Sequence, residues 1–452
     1  MFDKILVANR GEIAVRIMRT CREMKIKTVA VHSTADADSM HVQMADEAVC
    51  IGPPAPKDSY LNMPNIISAA RITNADAIHP GIGFLSERAN FAEACEMCGL
   101  KFIGPPASVM ERMNNKASAR DAAKAAGVPI VPGTDGVLED DKQALGFARK
   151  VGFPLLIKAA HGGGGRGIRL VQNEEELVRQ IDMARTEAGA AFGSSEVYME
   201  KYVEEPRHIE VQILGDEHGH VVHLGERECS VQNLRHQKLL EESPAIQLSP
   251  SQRSKIGEAA VKAAKSIGYV SAGTIEFIAD SRGNFYFMEM NKRLQVEHCV
   301  TEMVTGVDIV KMQILVASGE KLPMGQRDIK FSGHAIECRI NAEDPDRNFS
   351  PSAGCITHVM MPGGYGVRVD THIYAGYNVP PFYDPLLAKI IVWAEDRPAA
   401  IQRMLRCLHE TKIVGVKTNI QFQQRILSNA FFGRGEITTD FIKWRVLSDH
   451  TV

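Results

Sequence analysis

The hydrophobic and polar positions of the first hundred residues alternate between short apolar runs and longer segments of helical period. KILVAN from Lys4, KTVAVHS from Lys27, ADAIHP from Ala75 and KFIGPP from Lys101 read as strands. GEIAVRIMRTCREM from Gly11, a segment near Met63 to Arg71 and another from Ser86 read as the helices between them. Strand and helix in turn predict a parallel sheet covered on both faces. Pro105 and Pro106 close this unit, and a helical stretch containing Lys116 leads into the next. From about Phe331 the pattern changes to short strands broken by Gly and Pro: HAIECRINAEDP, THVMMPGGYGVRVD, THIYAGYNVP and LLAKIIVWAED. With one helix near Arg397 to Thr411, this predicts a separate, mostly β unit.

The segment FYFMEMNKRLQVEH, Phe285 to His298, carries the most chemistry. Glu289, Asn291, Arg293, Gln295 and Glu297 fall at every second position, which on a strand puts them on one face. Such a face is too polar for a core, and charges buried there need ions or ligands as partners. A solvated edge strand is the plain alternative, but Phe285, Phe287, Met288 and Met290 make the segment too apolar for one. GTIEFIAD supplies Glu276 from a neighbouring strand, and carboxylates converging with room for water suit magnesium held between protein and phosphates.

A second motif is PLLIKAAHGGGGRGIRLV, in which a strand ending in Lys158 runs into Gly162, Gly163, Gly164 and Gly165, followed by Arg166 and Arg169. Consecutive glycines expose backbone amides to phosphate oxygens and let the loop hinge as a lid, and the adjoining cations match the charge. The GKS or GKT ending of a Walker loop is absent, and ANRGEIA lacks the three glycines of a dinucleotide fingerprint. Further on, His208, Glu210 and Gln212 alternate with Ile209, Val211 and Ile213. GERECSVQNLRHQKLLEESPA then gathers Arg235, His236 and Lys238 in a loop-like stretch suited to a small anion. Arg339 alternates with Glu337, and a structural ion pair remains open for it.

A chain of 452 residues accommodates two to four packed units. Its formal net charge of −3 lacks the basic excess expected for a nucleic-acid or membrane-surface partner, and no apolar run reaches a membrane span. The opening MFDKILVANRGE does not read as a signal peptide. Nine cysteines scattered from Cys21 to Cys407 do not make a disulfide framework, so a reduced, cytoplasmic protein is expected. Cys95 and Cys98 form a CxxC without a second ligand pair, which reads as two core thiols rather than a zinc site.

Six ordered blocks, KILVANRGEIAVRI, IKAAHGGGGRGIR, EKYVEEPRHIEVQI, RHQK, EMNKRLQVEH and HAIECRINAEDP, together resemble biotin carboxylase, the ATP-grasp subunit of acyl-CoA and pyruvate carboxylases, almost end to end. The resemblance implies a mixed α/β and α+β chain in three parts. These are a parallel α/β domain over 1–110, an ATP-grasp domain over 114–320 with a mobile glycine-rich lid at about 131–203, and a mostly β C-terminal domain over 331–446. It implies that Lys116, Lys158, the Gly162 to Gly165 loop, Glu200, Lys201, Val203, His208, Gln232, His236, Glu276 and Glu289 hold ATP. Glu276, Glu289 and Asn291 match the magnesium (or manganese) site. Lys238, Arg293, Gln295, Val296 and Glu297 match the bicarbonate pocket, with Glu297 as the base, and Arg339 matches the cation beside biotin. A biotin carrier and a carboxyltransferase are expected on separate chains, because no lysine here sits between methionines as the family's biotin-bearing lysine does. Arg19, Glu23, Tyr365 and Arg368 match a homodimer interface.

The expected activity is carboxylation of carrier-bound biotin through carboxyphosphate, within an acetyl-CoA carboxylase of fatty acid synthesis or within a multisubunit pyruvate carboxylase. This chain departs from the family pattern at Ile82, where a tyrosine beside biotin is usual, and in the stretch Gln232 to Lys238, one residue longer than the family's. Lys292 and Cys299 stand for threonine and proline, and Asn114 and Asn115 for Gly and Asp. These departures keep two alternatives in view: an ATP-grasp carboxylase of another small acceptor, and a nucleotide-binding regulatory subunit.

Overall fold

The computed structural model describes residues 1–113, 116–160 and 168–447, except the side chains of 116–118. Strands β1 (Lys4–Val7), β2 (Lys27–Ser33), β3 (Glu47–Gly52), β4 (Ala77–His79) and β5 (Lys101–Phe102) form a wholly parallel sheet in the order β3-β2-β1-β4-β5. The first of the covering helices, α1 (Gly11–Glu23), follows β1 directly. The helix expected from Ser86 begins at Ala89 instead. Gly81, Gly83 and Phe84 take positive φ, so the chain between β4 and that helix turns irregularly. That turn carries Ile82, Phe84 and Glu87 toward the rest of the molecule. Cys95 is buried in the core of this domain, and all nine cysteines are free.

A small sheet of β6 (Leu155–Ala159), β7 (Ile168–Val171) and β8 (Val197–Lys201), in the order β7-β6-β8, stands apart with its own apolar core. The main sheet has eight strands. Its central members are β9 (Arg207–Gly215), β10 (Val221–Gln232), β11 (Lys238–Ser243), β12 (Ser271–Ala279) and β13 (Phe285–Asn291). Three strands of the last third extend it: β14 (His334–Asn341), β15 (Val367–Thr371) and β16 (Leu386–Ala394). The order β13-β12-β9-β10-β11-β14-β16-β15 therefore joins the central and C-terminal parts of the chain through the β11–β14 pairing.

One face of this sheet is sealed by α2 (Pro250–Ser266), whose start is fixed by a reciprocal Ser249–Gln252 capping box. Its alanine-rich side packs against Ile209, Val211, Ile213, Ile275 and Phe277. Toward the C-terminal strands the opposite face is covered by α3 (His298–Thr305), with Cys299, Val300 and Val304 set against Ala335 and Ile391. The C-terminal helix α4 (Arg397–Glu410) is accompanied by a second at Ile420–Ser428, so this part carries more helix than its turn-rich sequence suggests. The stretch read as a loop from Gly225 is mostly strand: β10 runs to Gln232, and only Asn233–Gln237 turn before β11 begins at Lys238. Register shifts along the β10–β11 pairing disturb the alternation that would have announced strands. Among the described residues no helix is long and apolar enough to cross a membrane.

Candidate active site

Glu276 and Glu289 are direct cross-strand partners on β12 and β13, as the sequence suggested. The expected unbroken strand through Glu297 is not found, because β13 ends at Asn291 and residues 292–297 run irregularly into α3. Within β13 the register shifts between Glu289 and Phe287, making Met288 the extra residue of a β-bulge. By strict alternation Phe285, Phe287, Glu289 and Asn291 share one face. The bulge breaks that parity, so Phe287 and Met290 both reach the core while Glu289 and Asn291 point to the cleft.

The irregular segment still brings Arg293, Gln295, Val296 and Glu297 to the same cavity as Glu276, Glu289, Lys238 and Arg339. At its centre, Lys238 Nζ donates to Glu210 Oε2 at 2.6 Å, to Glu297 Oε1 at 2.6 Å and to Glu276 Oε1 at 3.1 Å. Arg339 Nη2 lies 2.9 Å from the second oxygen of Glu297, and its Nε donates to Glu241 Oε1 at 2.7 Å. Glu297 is thus a fully buried carboxylate held between two cations. Burial is the largest influence and opposes its charge, but Lys238, Arg339 and Arg227 together outweigh it and hold the carboxyl below its ordinary value. For Glu276 the same contest, won by Lys238 and His208, leaves the carboxyl at about 2. His208 Nε2 sits 3.3 Å from Glu276 Oε2; burial resists its protonation, yet Glu276 and Glu210 together carry the imidazole up to about 9.

This cluster rests on groups that the sequence reading passed over. Arg227 is completely buried, and its guanidinium donates to Glu210 Oε1 at 2.5 Å, Gln212 Oε1 at 2.7 Å and the hydroxyls of Thr274 and Thr301 at 3.0 Å. A buried guanidinium so fully paired fixes Glu210, and through it Lys238; removing such a partner costs about 3–5 kcal/mol. Glu87 accepts from the Lys292 backbone N–H at 2.9 Å and from Arg293 Nε at 3.1 Å, which orients the guanidinium where the strand no longer can. Lys292 itself points away from the catalytic face and donates to the Met110 carbonyl. Cross-strand partners were the missing signal, since Glu210, Arg227 and Glu276 adjoin only once β10, β9 and β12 are paired.

Two clefts meet at His236, Lys238, Glu276 and Glu289. The first, of about 630 Å³, also holds Arg293, Gln295, Glu297 and Arg339, and is walled by Ile82, Phe84 and Tyr383. Asn9 Nδ2 donates to the Ile82 carbonyl, so at this departure from the family pattern the backbone is anchored and the side chain supplies an apolar wall. The second cleft, of about 490 Å³, is more apolar, with Leu156, Tyr198, Ile278, Phe287 and Met288 lining a slot for a flat ring. Lys158, Glu200, Lys201, Val203, His208 and Gln232 line it too. Lys158 pairs with Glu200, and Lys201 donates its ammonium to the carbonyls of Gly152 and Phe153. The Gly162 to Gly165 loop, Arg166, Asn114 and Asn115 lie outside the described residues. Lys116 begins a helix, Lys116–Ala125.

Glu276 and Glu289 present two carboxylates to the junction of the clefts, hard oxygen ligands that fit magnesium, and Asn291 stands beside them in the first cleft. Asn291 Nδ2 donates to Glu276 Oε1 at 2.8 Å, which leaves the amide oxygen turned the other way, toward Arg293.

Comparison with known proteins finds matches along the whole chain. Residues 1–110 match the family described as biotin carboxylase, N-terminal domain; residues 115–325 match carbamoyl-phosphate synthase L chain, ATP binding domain; and residues 337–444 match biotin carboxylase C-terminal domain. The chain is 56% identical to a biotin carboxylase of Nostoc sp. over 442 residues, covering 98% of this chain and 99% of that one. It is 53% identical to a pyruvate carboxylase subunit of Methanothermobacter thermautotrophicus, covering 98% and 90%. Among solved structures it is similar to the biotin carboxylase domain dimer of Hydrogenobacter thermophilus 2-oxoglutarate carboxylase, in complex with MgADP, ADP and bicarbonate. That match has a TM-score of 0.93 at 52% identity and covers 98% of this chain and 97% of the other.

Proposed function

The chain belongs to the biotin carboxylase family and is an ATP-dependent ligase, and from that premise we propose that it carboxylates biotin on a separate carrier chain, as the first half-reaction of an acetyl-CoA carboxylase. The observation that carries the assignment is the buried Glu297 carboxylate, held by Lys238 and Arg339 where an apolar nucleotide slot opens into an anion-lined cleft.

In this reading ATP lies along β8 and β12 with its ring in the apolar slot and its terminal phosphate over Glu276 and Glu289. Magnesium, when bound by Glu276, Glu289 and Asn291, supplies charge neutralisation on the phosphate oxygens. Bicarbonate sits against Arg293, Gln295 and the Val296 backbone. Glu297 accepts its proton as the bicarbonate oxygen attacks the γ-phosphorus, the bond to the bridging oxygen breaks and ADP leaves, since bicarbonate is too weak a nucleophile without a base. Lys238 balances the charge that develops between the two reactants. The resulting carboxyphosphate divides into carbon dioxide and phosphate, and phosphate takes the N1′ proton of biotin as carbon dioxide is captured. Arg339 faces the ureido oxygen and stabilises its enolate-like charge.

The acceptor of the second half-reaction is chosen by a carboxyltransferase, and the relatives include subunits of pyruvate and 2-oxoglutarate carboxylases. Acetyl-CoA is proposed on the resemblance of the whole chain. The assay that tests the reading is ADP release with MgATP, with and without bicarbonate, then with free biotin. Bicarbonate-dependent release stimulated by biotin is expected; stimulation by bicarbonate alone would favour another acceptor or an obligatory carrier, and no turnover would favour a regulatory role. Transfer of a labelled carboxyl group by the holoenzyme to acetyl-CoA, and not to pyruvate or 2-oxoglutarate, tests the acceptor.

A homodimer through Arg19, Glu23, Tyr365 and Arg368 is part of the same proposal. Tyr365 is 78% exposed, an aromatic ring left open to a partner. Arg19 and Glu23 are also exposed, whereas Arg368 is already committed to Glu302 and Asp370.

The tether from Glu87 to Arg293 gives a narrower prediction. Glu87→Gln keeps one acceptor and loses the charge, and a charge-assisted bond of this kind is worth about 1 kcal/mol more than a neutral one. The expected result is a three- to tenfold higher KM for bicarbonate with kcat changed less than twofold. An unchanged bicarbonate titration of ATP cleavage counts against it.

A further inference from the structure

The peptide that joins Val296 to the base Glu297 is fixed neither by the sheet nor by a helix cap. β13 has ended, Glu297 stands at the N-terminal boundary of α3 with φ −78 and ψ 8, and no side chain caps that helix. What reaches this peptide is Lys389. Its side chain is 0% exposed, on β16 opposite Arg339 of β14 and Asp370 of β15. Nζ donates to the Val296 carbonyl at 3.0 Å, lies 3.1 Å from Glu12 Oε2 in the first turn of α1, and 3.9 Å from Asp370 Oδ2. The other donor to that carbonyl is the Cys299 thiol at 3.9 Å, a weak one. One ammonium thereby ties together α1 of the N-terminal domain, a C-terminal strand and the backbone that carries the base.

We infer that Lys389 is a positioning residue for Glu297: by holding the Val296 carbonyl it sets the direction in which the base leaves the backbone, with Glu12 as its counter-ion. An ammonium buried without solvent is costly, and a well-packed apolar side chain often replaces a buried ion pair with no loss of stability. A donor at this point is what an apolar replacement cannot supply. The Glu297 carboxylate must meet bicarbonate within hydrogen-bond reach, and a shift of about 1 Å in a positioned group costs about 10²-fold in rate.

The inference rests on the biotin carboxylation reading, and the experiment separates the two. The wild-type chain is first assayed for bicarbonate-dependent ATP cleavage; its absence would sink that reading rather than this one. Lys389→Met alone strands the Glu12 charge, so the informative variant is the charge-free pair Glu12→Gln with Lys389→Met. Thermal stability near wild type, MgADP affinity within threefold and kcat for bicarbonate-dependent ATP cleavage reduced at least thirtyfold are expected. Recovery of turnover to within threefold, together with stability, would mean that Lys389 is only a structural ion-pair member. Should that pair not fold, Lys389→Arg carries the test. It keeps the charge and the Glu12 partner, but its longer planar head cannot put a donor at the same point in a filled site. Folded protein with turnover cut at least tenfold is expected, and wild-type turnover overturns the assignment.

Discussion

Replacing Glu297 by glutamine is expected to reduce bicarbonate-dependent ATP cleavage by about 10²- to 10⁴-fold, the range of a removed general base. MgATP affinity should stay within a few-fold, because Glu297 lines the anion cleft and not the apolar nucleotide slot. The substitution is nearly isosteric and preserves an acceptor for Lys238, so the loss is one of chemistry rather than folding. pH separates these possibilities. Burial opposes ionisation of the Glu297 carboxyl, but Lys238, Arg339 and Arg227 together outweigh it, so the group lies below its ordinary value and is ionised throughout the neutral range. Its contribution to stability is therefore fully present at neutrality and fades only as pH falls through its own low value. A rate deficit in Glu297→Gln near neutrality consequently reports the missing proton acceptor. Carbonate dianion has no proton to give up, and its fraction rises about tenfold with each pH unit below its pKa. The deficit should shrink in parallel between pH 8 and 9.5. A deficit constant over that range would assign Glu297 a merely structural part.

How much of this was legible in the sequence depends on how local each signal is. Period and turn chemistry announced the parallel sheet of the first domain, because β1, β2 and β4 are largely buried runs, whereas the mostly exposed edge strand β3 was not read. The pairing of Glu276 with Glu289 was likewise legible, the two strands lying close in sequence. Period two carried the catalytic face too far. It placed Arg293, Gln295 and Glu297 correctly in one cleft for a wrong reason, since the chain leaves the sheet at Asn291. Their convergence depends instead on Glu87, Lys389 and Arg339, which come from 42 to 206 residues away. The bulge at Met288 was equally invisible, because a single extra residue changes parity without changing composition. Arg227 looks in sequence like any surface arginine; only the pairing of β9 and β10 shows it to be the most deeply buried guanidinium of the site.

Arg339→Ala should separate the two halves of the reaction. Removing a preorganised cation from a developing enolate costs on the order of 3 kcal/mol, so biotin carboxylation should fall by at least 10²-fold. Bicarbonate-dependent ATP cleavage should fall far less, but not by nothing, because Arg339 Nη2 also contacts Glu297 at 2.9 Å. Lys238 remains on the other Glu297 oxygen at 2.6 Å and keeps the base ionised and roughly in place. The same substitution strands Glu241, a fully buried carboxyl that burial has already pushed up to about 7 against the pull of Arg339. Without Arg339 that opposing pull is gone and Glu241 takes up a proton, which limits the damage to stability. Arg339→Lys should not restore biotin turnover, since a single ammonium cannot serve Glu241, Glu297 and the ureido oxygen as the planar fork does. Measuring ADP release and carboxybiotin formation on the same preparation decides the matter. Equal losses in both would place Arg339 with the base alone and remove its assigned role at biotin.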